Sequence, residues 1–287
     1  MAEVRERRSP SRRALMYGAL VLFALLFLGP FVIQIATSFK TDPDATNHPL
    51  NVVPHPVTME AWKRIFGYSS DQPVPFGTWL RNSIIVATSI TLLRVLLDSL
   101  AGYALARLRF PGRRAVFLLI LGTLAVPNVV LLIPRFLVLK ELSLYNSYAG
   151  MILPIAMDAA GIFLMRGFFM QVPLSIEEAA RIDGAGALRT WWDIAMPLVK
   201  PGLITLTILS FQGSWNEFSF FLVATSDPKY DTLTTGLAKF SGGSLGAGNQ
   251  FPVTLGAALL STIPVAILFF VFQRQIVRSQ MGSGVKG

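Results

Sequence analysis

The chain has 287 residues, 53% apolar and only 14% charged, with a mean hydropathy of +0.55 and a formal net charge of +9. A soluble domain of this length carries roughly a quarter charged residues, so the composition excludes an ordinary soluble enzyme. The absence of cysteine excludes disulfides, thiolate nucleophiles and cysteine metal sites, and the arginines cluster at the ends of apolar blocks, which excludes a basic nucleic-acid face.

Residues 1–13 form a short basic tail. The first apolar block, about Ala14–Ser38, is longer than the core of a cleaved signal peptide, despite the small residues Ala36 and Ser38, and is read as an uncleaved span. A polar, proline-rich loop covers Lys40–Gly77. The second block, Trp79–Ala106, ends in the basic turn RLRFPGRR (Arg107–Arg114). The third runs from Ala115 to Leu139, the fourth from Tyr148 to Met170 and the fifth from Pro201 to Thr225; the sixth runs from Phe251 to Phe272. Each block suffices to cross a bilayer, about 20 residues. The expected fold is all-α and integral to the membrane: a six-span domain over 14–278 between cytoplasmic tails 1–13 and 279–287.

Basic residues favour the cytoplasmic side. With the N-terminus inside, the inner segments hold the tail arginines, Arg107, Arg109, Arg113, Arg114, Arg166, Arg181, Arg189, Lys200, Arg274, Arg278 and Lys286. The outer segments keep only Lys40, Lys63, Arg64, Arg81, Lys140, Lys229 and Lys239. The expected topology is therefore N-in and C-in, which turns the insert Gln171–Lys200, between spans four and five, toward the cytoplasm.

That insert is too long for a simple connection, about thirty residues where a few suffice. Ser175-Ile176-Glu177-Glu178 matches a capping box, with Ser175 capping the amides and Glu178 reaching back. Glu177 and Glu178 also complement the positive end of a helix dipole. Gly184 and Gly186 are natural helix stops. The reading is a two-turn helix ending in a glycine turn, then a second short helix over Leu188–Ala195, broken by Pro197 and Pro201. Ala179 and Ala180 are small enough for a partner surface to approach the backbone.

No Gly-Lys pair occurs, so a phosphate-binding loop is absent. The run SGGSLGAGN (Ser241–Asn249) is read as a flexible outer loop, and His48 and His55 have neither metal-ligand nor triad spacing. No catalytic residue is assigned. Charges inside the membrane need a partner or a role. Arg94 and Asp98, four apart, are read as a structural bridge on one helix face. Asp158 either faces a wet cavity or pairs across helices. Trp215-Asn216-Glu217 is the candidate for a solute path: an indole stacks on sugar faces while amide and carboxylate bind hydroxyls. Packing of Trp215 and bracing by Glu217 is an equal alternative. Pro127, Pro134, Pro154 and Pro264 interrupt helix interiors, either as kinks lining a cavity or hinge or equally as packing irregularities.

The segment EAARIDGAGALRTWWDIAMP resembles the EAA loop of ABC-importer permeases: Glu-Ala-Ala, three residues, Gly, nine residues, Ile, one residue, Leu-Pro. Glu178, Ala179, Ala180, Gly184, Ile194 and Pro197 stand at matching positions, with Met196 in place of leucine. The blocks NSIIVATSITLLRVLLDSLAGYALARLRFPGR, GSWNEFSFFLVA and FQRQIVRSQMGSGVKG extend the likeness to the carbohydrate-uptake branch, most similar to the second permease of maltose-type importers. The resemblance implies a coupling helix docking in a separate ATPase subunit through Glu178, Ala179, Ala180, Asp183, Gly184, Ile194 and Pro197. It also implies a homologous permease partner, two ATPase subunits that bind the ATP and magnesium, an external solute-binding protein, and no cofactor or metal on this chain. The expected function is carbohydrate uptake across the cell membrane, with a secondary transporter or a permease for a non-sugar solute such as glycerol phosphate as alternatives.

Overall fold

The computed structural model describes residues 10–68, 74–242 and 250–283; all regular structure among them is helical. The chain divides into two compact units, Met1–Pro75 with Lys239–Leu260, and Phe76–Ala238 with Ser261–Gly287. Residues 1–9 of the basic tail, 243–249 of the glycine-rich run and 284–287 lie outside the described residues.

The first unit begins with α1 (Pro10–Ser38), whose side chains from Leu15 to Phe27 are almost all exposed, as an apolar helix facing lipid would be. The following segment, expected as a loop, contains two short helices, α2 (Asp42–Asn47) and α3 (Glu60–Ile65). Thr41 caps α2, and Pro43 sits in its first turn, where a missing N–H costs nothing. Burial holds this segment in place. The Lys40 ammonium is buried and donates to the His48 carbonyl at 2.7 Å, and Trp62 packs between the rings of Phe39 and Phe66. The start of α15 (Phe251–Ser283) completes this unit: Gln34 donates to the Leu255 carbonyl at 3.1 Å.

The second unit is organised around α4 (Phe76–Arg107). At 1.5 Å per residue its 32 residues span about 48 Å, against about 30 Å of bilayer hydrocarbon, so its ends project beyond the apolar layer. Then come α5 (Arg113–Leu124), a 3₁₀ turn, α6 (Leu132–Glu141), α7 (Tyr148–Ile152) with a second 3₁₀ turn, and α8 (Ala159–Gln171). Next are α9 (Leu174–Ile182), a helical segment of α10 (Ala187–Arg189), a π-helical stretch Thr190–Ala195 and α11 (Met196–Leu198), then α12 (Lys200–Trp215) and α13 (Ser219–Ala224). The helix α14 (Leu233–Ser241) precedes α15.

Three helices, 14–38, 76–107 and 251–273, are individually long and apolar enough to cross a membrane. The third and fourth apolar blocks are broken rather than continuous, and the fifth begins just after a sharp bend. Bends of 97° between α5 and α6, 47° between α7 and α8, and 86° before α12 divide three further pairs that qualify together. Pro127 stands at the first bend and Pro154 in the 3₁₀ turn before the second. Each removes a backbone donor. Pro264 lies inside α15 and Pro134 in the first turn of α6, and neither ends its helix.

Two apolar clusters flank a polar level along α4. Val86 and Ile90 pack with Leu139, Met151, Phe220 and Phe221. Further along, Tyr103 packs with Met165, Phe169, Trp191 and Leu206. The pairings of Asp98 with Asp158, Gly102 with Met165 and Arg107 with Phe169 show that α8 runs parallel to α4. Gly102 makes this approach possible: a Cβ there would lie 2.8 Å from the Arg166 nitrogen and from the Met165 Cβ. Small residues at such crossings let membrane helices pack backbone to backbone. At the opposite end, buried Asn82 donates to the Lys229 and Asp231 carbonyls, both at 2.8 Å, and accepts from the Tyr148 hydroxyl at 2.6 Å. Every hydrogen-bonding group of that amide is thereby engaged.

Candidate functional site

Two polar sites occur in the second unit, and the first is the insert between α8 and α12. Helix α9 begins at Leu174, with Pro173 as its N-cap and no side-chain cap. The capping box expected from Ser175 and Glu178 is therefore not formed. The chain leaves α8 extended through Val172 and Pro173, starts the helix early, and carries Ser175 inside the first turn. The far end follows expectation: Gly184 has φ +80°, Ala185 N–H donates to the Ala180 carbonyl and Gly184 N–H to that of Arg181. This is a Schellman stop, which glycine adopts without strain.

The faces of α9 differ sharply. Glu178, Ala179, Arg181, Ile182, Asp183 and Gly184 are exposed, Ile182 to 87%. Glu177 and Ala180 are buried. Ala180 thus faces its own unit, toward the 187–198 segment on which α9 packs, and Ala179 alone of the pair is presented outward. Ile194 is half-buried and Pro197 exposed. The second helix does not stop at Ala195. It continues through Pro197 to Leu198, because the wide π turn preceding the proline absorbs the ring that would clash in an α-helix. The exposed apolar residues Ile182, Leu188 and Trp192 were not singled out from sequence; their signal is apolarity on an otherwise charged insert.

Behind α9 lies a buried ion pair absent from the sequence reading. Arg107 Nε stands 2.9 Å from Glu177 Oε1, with only 6% and 3% of the two side chains exposed. Arg107 Nη2 also donates to the Phe169 carbonyl at 2.6 Å and to that of Val172. The Tyr103 hydroxyl donates to Glu177 Oε2 at 3.4 Å. The residues bonded here come from α4, the end of α8 and its exit, and α9.

The second site is a cavity of about 320 Å³ at the polar level of α4. Arg94, Asn128, Arg135, Asp158, Ser214, Glu217 and Ser219 supply its polar lining, and Val129, Leu132, Ile155, Met157 and Phe220 much of its apolar wall. The expected Arg94–Asp98 bridge is not made. Arg94 Nε donates to the Ile155 carbonyl at 2.9 Å, and Asp98 accepts the Asp158 N–H at 3.0 Å. The break between α7 and α8 frees backbone groups there, and both side chains turn to satisfy them rather than each other. Asp158 caps α8 by accepting from the Gly161 N–H at 3.2 Å, while also lining the cavity. Of the Trp215-Asn216-Glu217 trio only Glu217 lines the cavity. It accepts the Phe220 N–H, in the first turn of α13, at 2.8 Å. Trp215 is buried against Phe211, with its indole N–H on the Ser261 carbonyl at 3.0 Å, and Asn216 bonds back to Gln212. The trio sits where α12 ends, not within a continuous span. Arg135, which sequence reading passed over, stands 5.5 Å from the centroid of the Phe220 ring.

Broken apolar helices around a polar cavity, with a charged helix displayed at one end, define a polytopic membrane transport component. The model of binding-protein-dependent transport system inner membrane components matches residues 98–281, and the chain belongs to this family of inner-membrane permeases. The chain is 34% identical to the sn-glycerol-3-phosphate transport system permease protein UgpE of Yersinia pestis, over 92% of this chain and 94% of that protein. It is 33% identical to the trehalose/maltose transport system permease protein MalG of Thermococcus litoralis, over 98% and 99%. Among solved structures, a chain of a bacterial ABC transporter that imports the acidic polysaccharide alginate superposes with a TM-score of 0.77 at 28% identity, covering 93% of this chain and 98% of that one.

Proposed function

We propose that this chain is one of two homologous permeases forming the carbohydrate pathway of an ABC importer, and that α9 seats in a separate ATPase subunit. In this reading six spans place both termini and α9 in the cytoplasm. The parallel course of α8 and α4 supports alternating spans, since spans two and four of such a bundle run in the same direction. The observation that carries the proposal is the helix α9: short, stopped by a Schellman turn, held on its inner face by Glu177 and Ala180, and fully displayed on its outer face. A docked helix of this kind converts closure of a nucleotide-binding dimer into rigid-body movement of spans. Glu178, Arg181 and Asp183 supply polar contacts, Ala179 and Ile182 the packing surface, Gly184 the turn, and Ile194 and Pro197 the shape of the supporting segment. ATP and magnesium are bound by the ATPase and no cofactor by this chain. An external solute-binding protein delivers the solute.

The names of the relatives place trehalose/maltose, sn-glycerol-3-phosphate and alginate among the solutes of similar transporters. Their shared chemistry is a run of hydroxyls. The cavity suits it, with guanidinium donors on Arg94 and Arg135, carboxylate acceptors on Asp158 and Glu217, and an aromatic wall in Phe220. The test is affinity purification of the tagged chain from its own membranes. An ATP-hydrolysing subunit should copurify with the wild type and be lost with Gly184→Asp, while membrane insertion is unchanged. Copurification undiminished by Gly184→Asp would reject the docking role.

A further inference from the structure

We propose that the Arg107–Glu177 pair is the clamp that passes movement of α9 to α4 and α8, which makes both residues positioning residues for transport. The inference rests on α9 being the seat of the ATPase subunit and goes beyond it, since Glu177 precedes the segment assigned to docking and Arg107 lies on another helix.

The geometry points to transmission rather than contact. The face of α9 available to an outside subunit excludes Glu177, which is turned inward and buried. The covalent link from α9 to α8 is the short extended stretch at Val172 and Pro173, a single strand of backbone. Arg107 braces that link. Its guanidinium binds the Glu177 carboxylate and two carbonyls at the exit of α8, Phe169 and Val172, while its own backbone ends α4. A planar fork with several fixed donors can hold three partners at once, which a lysine ammonium on a flexible stem does not reproduce. Tyr103, one turn earlier on α4, adds its hydroxyl to the second Glu177 oxygen and its ring to the edge of Phe169. Separating a buried ion pair leaves each charge uncompensated, so the three elements move together or not at all.

The polar cavity lies further back along the same helices. From Arg107 to Asp98 is nine residues of α4, about 14 Å at 1.5 Å per residue. Asp98 grips the Asp158 N–H at the start of α8, beside the cavity. A displacement delivered to the ends of α4 and α8 therefore reaches the cavity wall through two continuous helices joined at both levels.

The absence of native cysteine allows a direct test in the intact complex. Ser219→Cys places one thiol on the exposed cavity lining of this chain. Its rate of modification by a membrane-impermeant maleimide is measured in nanodiscs, nucleotide-free and after trapping with ATP and vanadate. With the native pair, trapping should change the rate several-fold. Glu177→Gln and Arg107→Lys should still copurify with the ATPase and hydrolyse ATP, yet lose most of that change. A response equal to the native one in both variants would overturn the clamp. Loss of copurification in both would overturn it too, by assigning the pair to docking or folding. Gly184→Asp serves as the separate control: were it to copurify normally, the docking reading beneath this inference would fail instead.

Discussion

The two polar sites of the second unit use the same residue types in opposite ways. At the Arg107–Glu177 site the charges meet each other and are buried. At the cavity the charges are each held by backbone, Arg94 by a carbonyl, Asp158 as a helix cap and Glu217 by the Phe220 N–H, and among the described residues none of these three is paired with an opposite charge. A closed pair fixes the relation between helices. A ring of singly anchored charges around about 320 Å³ keeps hydrogen-bonding capacity for something that enters. On the proposed reading one site transmits and the other receives, and α4 runs through both.

The comparison breaks most completely if the two sites are parted from their shared frame. Gly102→Leu should force α4 and α8 apart, because the new side chain meets Met165 and the backbone at Arg166. Folded protein recovered in detergent should fall to near zero by size-exclusion profile. Next in size is the closed site: Arg107→Ala leaves Glu177 buried without its ion-pair partner and should cost about 3–5 kcal/mol of stability. A lowered thermal midpoint checks it. The receiving site should respond differently. Glu217→Gln and Arg135→Gln should each weaken solute uptake by about tenfold, the scale of one charged hydrogen bond, with ATPase copurification unchanged. Uptake in proteoliposomes decides this, and unaltered affinity in both would remove the cavity from the path. The smallest effect belongs to Trp215→Phe. It loses one indole N–H bond worth about 1 kcal/mol and should leave uptake affinity untouched, since Trp215 does not line the cavity.

What the sequence showed of these sites follows from how local each one is. The glycine stop at Gly184 and the exposed charges of α9 depend on neighbours within a few residues, and both are legible there. The apolar blocks likewise announced membrane helices. Their interruptions did not show fully, because a broken span has the composition of a whole one, and only prolines hinted at the bends: Pro127 and Pro154 at the first two, Pro201 at the third. The partners of Arg94 and Asp98 were misread for the same reason: four residues apart on one helix they suit each other, and only the break at Ile155–Asp158 offers better partners. Glu177 illustrates the limit most clearly. Beside Glu178 it reads as a second acid at a helix start, yet one residue of rotation, about 100° on a helix, turns it inward to an arginine seventy residues away. The partition of Ala179 and Ala180 between outer and inner faces has the same origin.

The central claim is that α9 meets an ATP-hydrolysing subunit. Ile182 is the most exposed of its large apolar residues, and the chain has no competing thiol. Ile182→Cys, treated with a short bifunctional crosslinker in native membranes, should yield one major adduct whose second component is a nucleotide-binding subunit. Modification of Cys at position 182 by an impermeant reagent from the outer face, or adducts containing no such subunit, would contradict the account.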